Sequence, residues 1–503
     1  MLILPFLLFP IHPHVVRQAP AGTEVHIRLT TAVGSYASKA GSPVSAVLIA
    51  PVMGEGDTVL PAGSVVSGNV KRVASVGLGI RHETAALDLE FNRVALPGGG
   101  PVALRARVTE VDNARERVTG DGRIHGVRAT DSGSYRVSGY VRDLLFRCEL
   151  HARIAEVIVK AAVINLPEPE IYLPPGAELT LNLTDSLSLD ASAEDPVSRG
   201  LPANEEYAAS APEGEDLRRL AASMPIRTYA TAPERPSDLT NVLIVGSRGQ
   251  IAATFAAAGW SEARPLTFGR RVRWLRAIGL RRGFDSAPMS SLLVNGEPAD
   301  LSLEKGLNDV SKRHHIRLWK QEGQWEGQDL WIGAATRDVD FGYLRPGRAF
   351  THRIAAEVDR ERDKVAYDLA FTGCTNWLDW TGRASVPRIS ENGTGDAMTT
   401  DTRLAVVGLN DCRAPRLSTE SIDLAPLPIH GGKLELFARR EILSVRSDLI
   451  RNNWYYRSYE VTRWMVGVLR AHGRNSSGPR SFLSGFRHSS LPASPVQIAA
   501  IAP

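Results

Sequence analysis

From Ala19 to about Leu181, apolar and polar positions alternate in short runs. Glu24 to Thr30 alternates cleanly and Val65 to Lys71 more loosely, while Val44 to Pro51 and Thr84 to Phe91 read as further strands. Gly, Pro and Asp clusters separate these runs at hairpin-like intervals. A period of two sends successive side chains to opposite faces, so this part is predicted as an all-β barrel or sandwich. A Pro-x-Gly phrase precedes a strand at 20–22, 61–63 and 174–176. Such a phrase fixes a tight turn and so the register at which the strand enters its sheet. It reads as a turn-plus-strand staple used three times, whether by duplication or as common β grammar.

The pattern then changes. Residues 186–238 mix Pro, acidic residues and short Ala runs, a composition with little to bury, and are predicted as a linker with one helix around Leu217 to Ala222. Val242 to Val245 is an unbroken apolar run, as in a strand buried on both faces. Gly246 turns, Ser247 caps, Ile251, Phe255 and Ala258 repeat at helical spacing, and Gly259 stops the helix. Ser290 to Val294 is a strand closed by Asn295-Gly296, a hairpin signal. His315 to Trp319, Leu330 to Ala335 and Thr351 to Ile354 read as strands. Asp359 to Phe371 reads as a helix with Asp359 as its cap and Arg362, Val365, Ala366 and Leu369 on one face.

The expected fold is therefore multidomain: an N-terminal all-β barrel or sandwich followed by an α/β domain with a mixed sheet. Its predicted parts are a signal segment at 1–18, a barrel-like domain at 19–185, the linker at 186–238, the α/β domain at 239–425, and an extension at 426–503. All nine Trp lie at or after Trp260, which supports the division. The apolar run Leu2 to Phe9 is too short to span a bilayer and fits a secretory leader, although no Lys or Arg precedes it and Pro5 interrupts it.

Composition narrows the function classes. With 503 residues and 43% hydrophobic positions, the chain can bury a core in each of several domains. No run of about 18 apolar residues occurs, so a polytopic membrane protein is excluded. Charged residues nearly balance, at 59 Lys+Arg against 55 Asp+Glu, which leaves no electrostatic footprint for nucleic acid. Three cysteines allow at most one disulfide, with Cys374 and Cys412 the preferred pair, and no four-thiolate metal site. The loop at Gly246 to Gly249 lacks the spacing, lysine and ribose acid of nucleotide-binding motifs. No metal or cofactor is predicted.

Two resemblances follow from the order of these phrases. Pro20 to Thr23, Leu60 to Gly68 and Asn92 to Pro97 follow one another as in the C-terminal β-barrel of the TrbI family of conjugative-transfer and type IV secretion envelope proteins. The resemblance covers about residues 19–130. It departs from the family at Gly98 to Gly100, where the family has an Asp-Gly hairpin, and in lacking an upstream membrane helix and proline-rich stalk. It implies a barrel used for binding or assembly rather than a complete channel subunit. Val242 to Trp260, Leu292 to Lys305, Arg313 to Lys320, Trp331 to Asp338 and His352 to Asp363 resemble, in order, the LssY C-terminal domain, over about 236–425. That family often carries the domain behind a membrane-embedded lipid-phosphatase-like domain and is linked by name to secretion. No phosphatase phrase occurs here, and the resemblance implies no activity of its own.

The polar residues of this second half set the functional alternatives. His315, Asp338, His352 and Asp359 are the candidate catalytic set, because carboxylates tune imidazoles for acid–base work. Arg317, Arg362 and Asp363 are candidate ligand-binding residues, since an Arg fork grips phosphate. Structural roles account for these residues more readily: Asp359 as a cap, Arg362 paired to a carboxylate such as Asp338, and His315 alternating out of a strand. The leading expectation is an exported envelope protein that binds or assembles with an envelope protein, a lipid or a cell-wall ligand, located in the periplasm or cell envelope and without nucleic acid. The alternative is a hydrolase or phosphate-ester enzyme with its site in the α/β domain.

Overall fold

The structure is a computed structural model that describes residues 15–54, 57–77, 84–97, 100–128, 169–191, 214–231, 234–263, 291–309, 311–343 and 350–413, with isolated positions at 289 and between 438 and 466. The apolar run at 2–9, Cys148, the Arg-rich stretch at 270–282 and most of 426–503 lie outside the described residues.

The period-2 runs form a closed barrel of six antiparallel strands: β1 (Glu24–Leu29), β2 (Pro43–Leu48), β3 (Val65–Ala74), β4 (Ala86–Ala95), β5 (Pro101–Val111) and β6 (Glu178–Leu183). The ring runs β4, β3, β2, β1, β6, β5 and back to β4. Inward positions are aliphatic, among them Val25, Ile27, Leu48, Val66, Leu87 and Leu181, all fully buried. Closure removes the sheet edges that would otherwise template aggregation.

The three Pro-x-Gly phrases adopt one conformation. Gly22, Gly63 and Gly176 have φ of 91°, 88° and 88°, a region costly for other residues. In each, the N–H of the glycine donates to the carbonyl at the end of a neighbouring strand: Gly22 to Leu183, Gly63 to Leu48 and Gly176 to Leu29, at 2.8, 2.7 and 2.7 Å. The staples thus tie the start of one strand to the end of the next around the ring. Gly68 has a different reason to lack a side chain. A Cβ there would lie 1.9 Å from the Glu90 carbonyl oxygen, where the register between β3 and β4 shifts.

The second domain is built on a mixed eight-stranded sheet. Its strands are β7 (Val242–Val245), β8 (Ser261–Glu262), β9 (Leu301–Lys305), β10 (Arg313–Trp325), β11 (Gln328–Tyr343), β12 (Phe350–Ile354), β13 (Thr375–Gly382) and β14 (Arg403–Leu409). The order is β8, β9, β10, β11, β7, β14, β13, with β12 paired to β11. Among the described residues β7 and β14 are its parallel pair, and all four residues of β7 are buried. The helices α2 (Arg248–Ala257) and α3 (Val358–Phe371) cover one face, packing Ile251, Phe255, Val365 and Leu369 onto Val242, Ile316 and Val407. The other face is covered by helix α1 (Gly214–Ser223) and by a small sheet that includes Leu292–Val294.

Several boundaries differ from those read in the sequence. The strand Val15–Ala19 pairs with Leu187–Ala191, so residue 18 falls inside an element and the stretch after 185 still belongs to the barrel half. The helix expected within the linker is present as α1, but the rest of 214–238 is not linker: it holds the paired strands Arg227–Thr231 and Glu234–Leu239. Leu217, Ala221 and Leu239 are buried there. A few well-placed apolar residues suffice to dock an otherwise charged helix. Helix α3 begins after Glu357, which places Asp359 in its first turn rather than at its cap. Cys374 and Cys412 are joined in a disulfide, with Cα atoms 4.4 Å apart.

Candidate functional site at the barrel–sheet seam

Barrel and mixed sheet belong to one compact unit within residues 1–440. They meet through buried charge. His314 on β10 stands between two carboxylates: its Nε2 is 2.7 Å from Asp112 Oδ2, just past the end of β5, and its Nδ1 is 2.6 Å from Glu361 Oε2 on α3. Arg337 on β11 adds a contact of 2.7 Å to Asp112 and another to Glu110. Burial alone would strip the imidazole of its proton, but the two carboxylates overcome it and raise the pKa to about 9. The ring is therefore an imidazolium at neutral pH, donating from both nitrogens. Burial likewise opposes ionisation of Asp112, yet His314 and Arg337 hold it well below the usual carboxylate range.

A second buried group lies beside the first. Glu178 at the head of β6 and Asp368 on α3 accept three cations between them. Lys305 Nζ lies 2.7 Å from Glu178 and 2.8 Å from Asp368, Lys364 Nζ lies 2.8 and 2.7 Å from the same pair, and Arg28 contacts both. Trp260 Nε1 donates to Asp368 at 3.0 Å. Although burial favours the neutral acid, the lysines beside Glu178 keep it ionised. Loop bonds extend the seam: Arg115 N donates to Asn308 Oδ1, Asn308 to Glu116, and Lys312 to the Ala114 carbonyl.

Over this seam lies a cleft of about 570 Å³. The barrel contributes His26, Pro51 and Met53, while α3 and the turn before it contribute Glu357, Arg360 and Tyr367. Its base is the His314 group. Glu361 Oε1 is buried there with no hydrogen-bond partner among the described residues, which leaves an acceptor unsatisfied. Burial lowers the pKa of His26, whose Nδ1 is 3.3 Å from Thr180 Oγ1, so that ring is neutral near pH 7.

The residues singled out in the sequence divide into two other groups. His315, Asp338 and His352 do converge. Asp338 Oδ1 is 3.6 Å from His315 Nδ1, its Oδ2 is 3.4 Å from His352 Nδ1, and Arg313 Nε donates to Oδ2 at 2.8 Å. His315 and Asp338 are buried, and burial pulls the His315 pKa down to about 3 despite Asp338. His352 is also lowered by burial. None of the three lines the seam cleft. Arg317 lies on the same face of β10, 3.7 Å from buried Asp238, whose pKa burial raises.

Asp359 does not join them. It accepts from Arg362, Thr400 Oγ1 and the Asp401 amide at 3.0, 2.7 and 2.6 Å. Arg362, 1% exposed, pairs with Asp359, Asp363 and Asp401 rather than with Asp338, and donates to the Arg403 carbonyl. Asp363 also accepts from Trp380 Nε1 at 2.8 Å and lines the seam cleft. The group pins the start of α3 to the turn before β14. Among the described residues no group of three or more His, Cys, Asp or Glu is arranged to hold a metal ion, and no helix is long and apolar enough to cross a membrane.

The run of β7, capped α2, β10, β11 and α3 is also what a family comparison recognises. Residues 222–404 match the LssY C-terminus family. The LssY match starts inside α1 and takes in the strands at 227–239, which again places that stretch with the sheet domain. It includes His314, Arg337, Glu361 and Asp368 from the seam, while Asp112 and Glu178 lie outside it. Among solved structures, ComB10 of the Com type IV secretion system of Helicobacter pylori is similar over 36% of this chain and 95% of its own, at 10% identity and a TM-score of 0.21. Comparison with curated proteins finds no match to this chain.

Proposed function

We propose that this chain is a binding or assembly protein of the cell envelope whose partner seats in the cleft over the seam. The observation that carries the reading is His314 held between Asp112 and Glu361. An imidazolium that donates from both nitrogens and has a pKa near 9 is a poor proton shuttle at neutral pH, whereas it holds barrel and sheet in fixed relation. The mixed lining of charged groups, Tyr367 and Met53, with one unsatisfied acceptor at Glu361, suits a protein surface carrying an amine or guanidinium donor. The Cys374–Cys412 bond fits an oxidising compartment, and the TrbI-like order of the barrel phrases fits envelope assembly.

The test places a photo-crosslinking amino acid at Met53 or Arg360 in full-length protein within cells. Adducts with a discrete envelope protein are expected, and they should disappear when Tyr367→Ala is added. Adducts confined to cytosolic proteins would overturn the reading. So would turnover of an ester or phosphate-ester panel by the purified chain that is lost in His352→Ala and Asp359→Ala.

A further inference from the structure

A second pocket, of about 350 Å³, opens where the parallel strands β7 and β14 end. It shares no lining residue with the seam cleft. The carboxyl ends of parallel neighbours are where sheets of this kind leave room for a ligand, because the chain departs from both strands there. Here β7 turns at Gly246 into α2, and β14 runs on into Asn410 and Asp411.

The lining has a particular chemistry. Two indoles, Trp325 and Trp377, form its apolar part together with Val245 and Leu409. The Trp377 ring packs against Gly408 of β14: a Cβ there would come within 2.3 Å of its Nε1, so the absent side chain makes room for the ring. Trp325 stands at the tip of the β10–β11 hairpin opposite Gln328, and its Nε1–H is buried with no acceptor among the described residues. Amides supply most of the rest, from Gln250, Gln328, Asn376 and Asn410, and carboxylates enter at Glu326 and Asp411. Among the described residues no lysine, arginine or histidine lines it.

Part of this set is fixed by internal bonds. Gln250 Oε1 accepts from the Ser247 amide and its Nε2 donates to Asp411, at 2.7 and 3.1 Å. Asn410 Oδ1 accepts from the Cys412 amide at 2.9 Å, and the Cys374–Cys412 disulfide ties this rim to the start of β13. The rim is therefore held in place before any ligand arrives, which lowers the entropy cost of binding.

From this lining we infer that the pocket binds a neutral saccharide. Amides offer both donors and acceptors to hydroxyl groups, and indoles offer a flat apolar face together with an N–H. The lining carboxylates Glu326 and Asp411, the latter paired at 2.9 Å with Arg413 outside the lining, disfavour phosphate or any other anion. The inference concerns a site distinct from the seam cleft and stands or falls apart from the assembly reading.

Isothermal titration of full-length protein with chitotriose, cellotriose and maltotriose, and with inorganic phosphate as the anionic probe, tests it. At least one trisaccharide is expected to bind with a Kd below about 10 mM, and phosphate not at all. Gln328→Ala and Trp325→Phe should each weaken that binding about fivefold, the loss of one hydrogen bond, with the unfolding midpoint unchanged. Absence of binding by all three sugars, equal binding of phosphate, or sugar binding that neither variant alters would overturn it.

Discussion

At the scale of single residues, adjacent histidines have opposite fates. His315 stands out in the sequence as a polar residue near a strand end, and its neighbour His314 does not. The alternation of β10 places His314 with Ile316 and Leu318 toward the helices and the seam, and His315 with Arg313 and Arg317 on the other face. The apolar alternation was visible beforehand, and it was the available clue to His314. Its partners were not, because Asp112 is 202 positions away and Glu361 is 47. The protonation of His314 makes stability depend on pH. Its folded pKa of about 9 lies above the ordinary 6.5, so its contribution is complete below pH 6.5 and is lost as pH rises through 9. That contribution is on the order of a few kcal/mol. Thermal unfolding between pH 6 and 9.5 should show the midpoint falling, and His314→Gln should start lower and lose most of that slope. A parallel decline in the variant would assign the effect to other groups.

At the scale of elements, strands and capped helices were largely legible. Ser247 caps α2 through a reciprocal pair of bonds with Gln250, and Asn295 and Gly296 take the positive φ that their hairpin requires. The misreadings fall where local composition and tertiary environment disagree. Helix α1 carries Glu215, Asp216, Arg218 and Arg219 on its outer side, so its composition reads as solvated although Leu217 and Ala221 are fully buried. The strand Glu234–Leu239 contains Pro236, which removes a ladder donor and hides it from a pattern search. The barrel's close approaches give a sharper prediction. Gly68→Ala places a methyl group against the Glu90 carbonyl and should cost about 1–3 kcal/mol, measured by denaturant titration. Gly22→Ala meets no neighbouring atom within 4 Å and suffers only the positive φ, so about 1 kcal/mol is expected.

At the scale of the molecule, the two halves are joined by more than the connecting chain. Trp distribution and composition distinguish them correctly as a barrel and a mixed sheet. Their joining could not be read, because the acids and bases of the seam come from elements far apart in the chain, from Arg28 on β1 to Asp368 on α3. Buried pairs of this kind fix geometry more than they add stability, but loss of one member is costly because the remaining charge is stranded. Asp368→Asn would leave Arg28, Lys305 and Lys364 with Glu178 alone and should cost about 3–5 kcal/mol. Calorimetry of the native chain should show residues of both halves melting in one transition, and the variant should separate it into two. Two well-resolved transitions in the native protein would mean that the seam does not couple the halves.

The staple at Gly176 has a consequence for the order in which the chain can mature. It introduces β6, which closes the ring and also brings Glu178, the acceptor shared by Arg28, Lys305 and Lys364. A nascent chain that has not yet emitted this strand has an open sheet and no anion with which to receive the lysines that follow. Ring closure and readiness to dock therefore arrive together, in a single six-residue segment, and a truncation before it forfeits both.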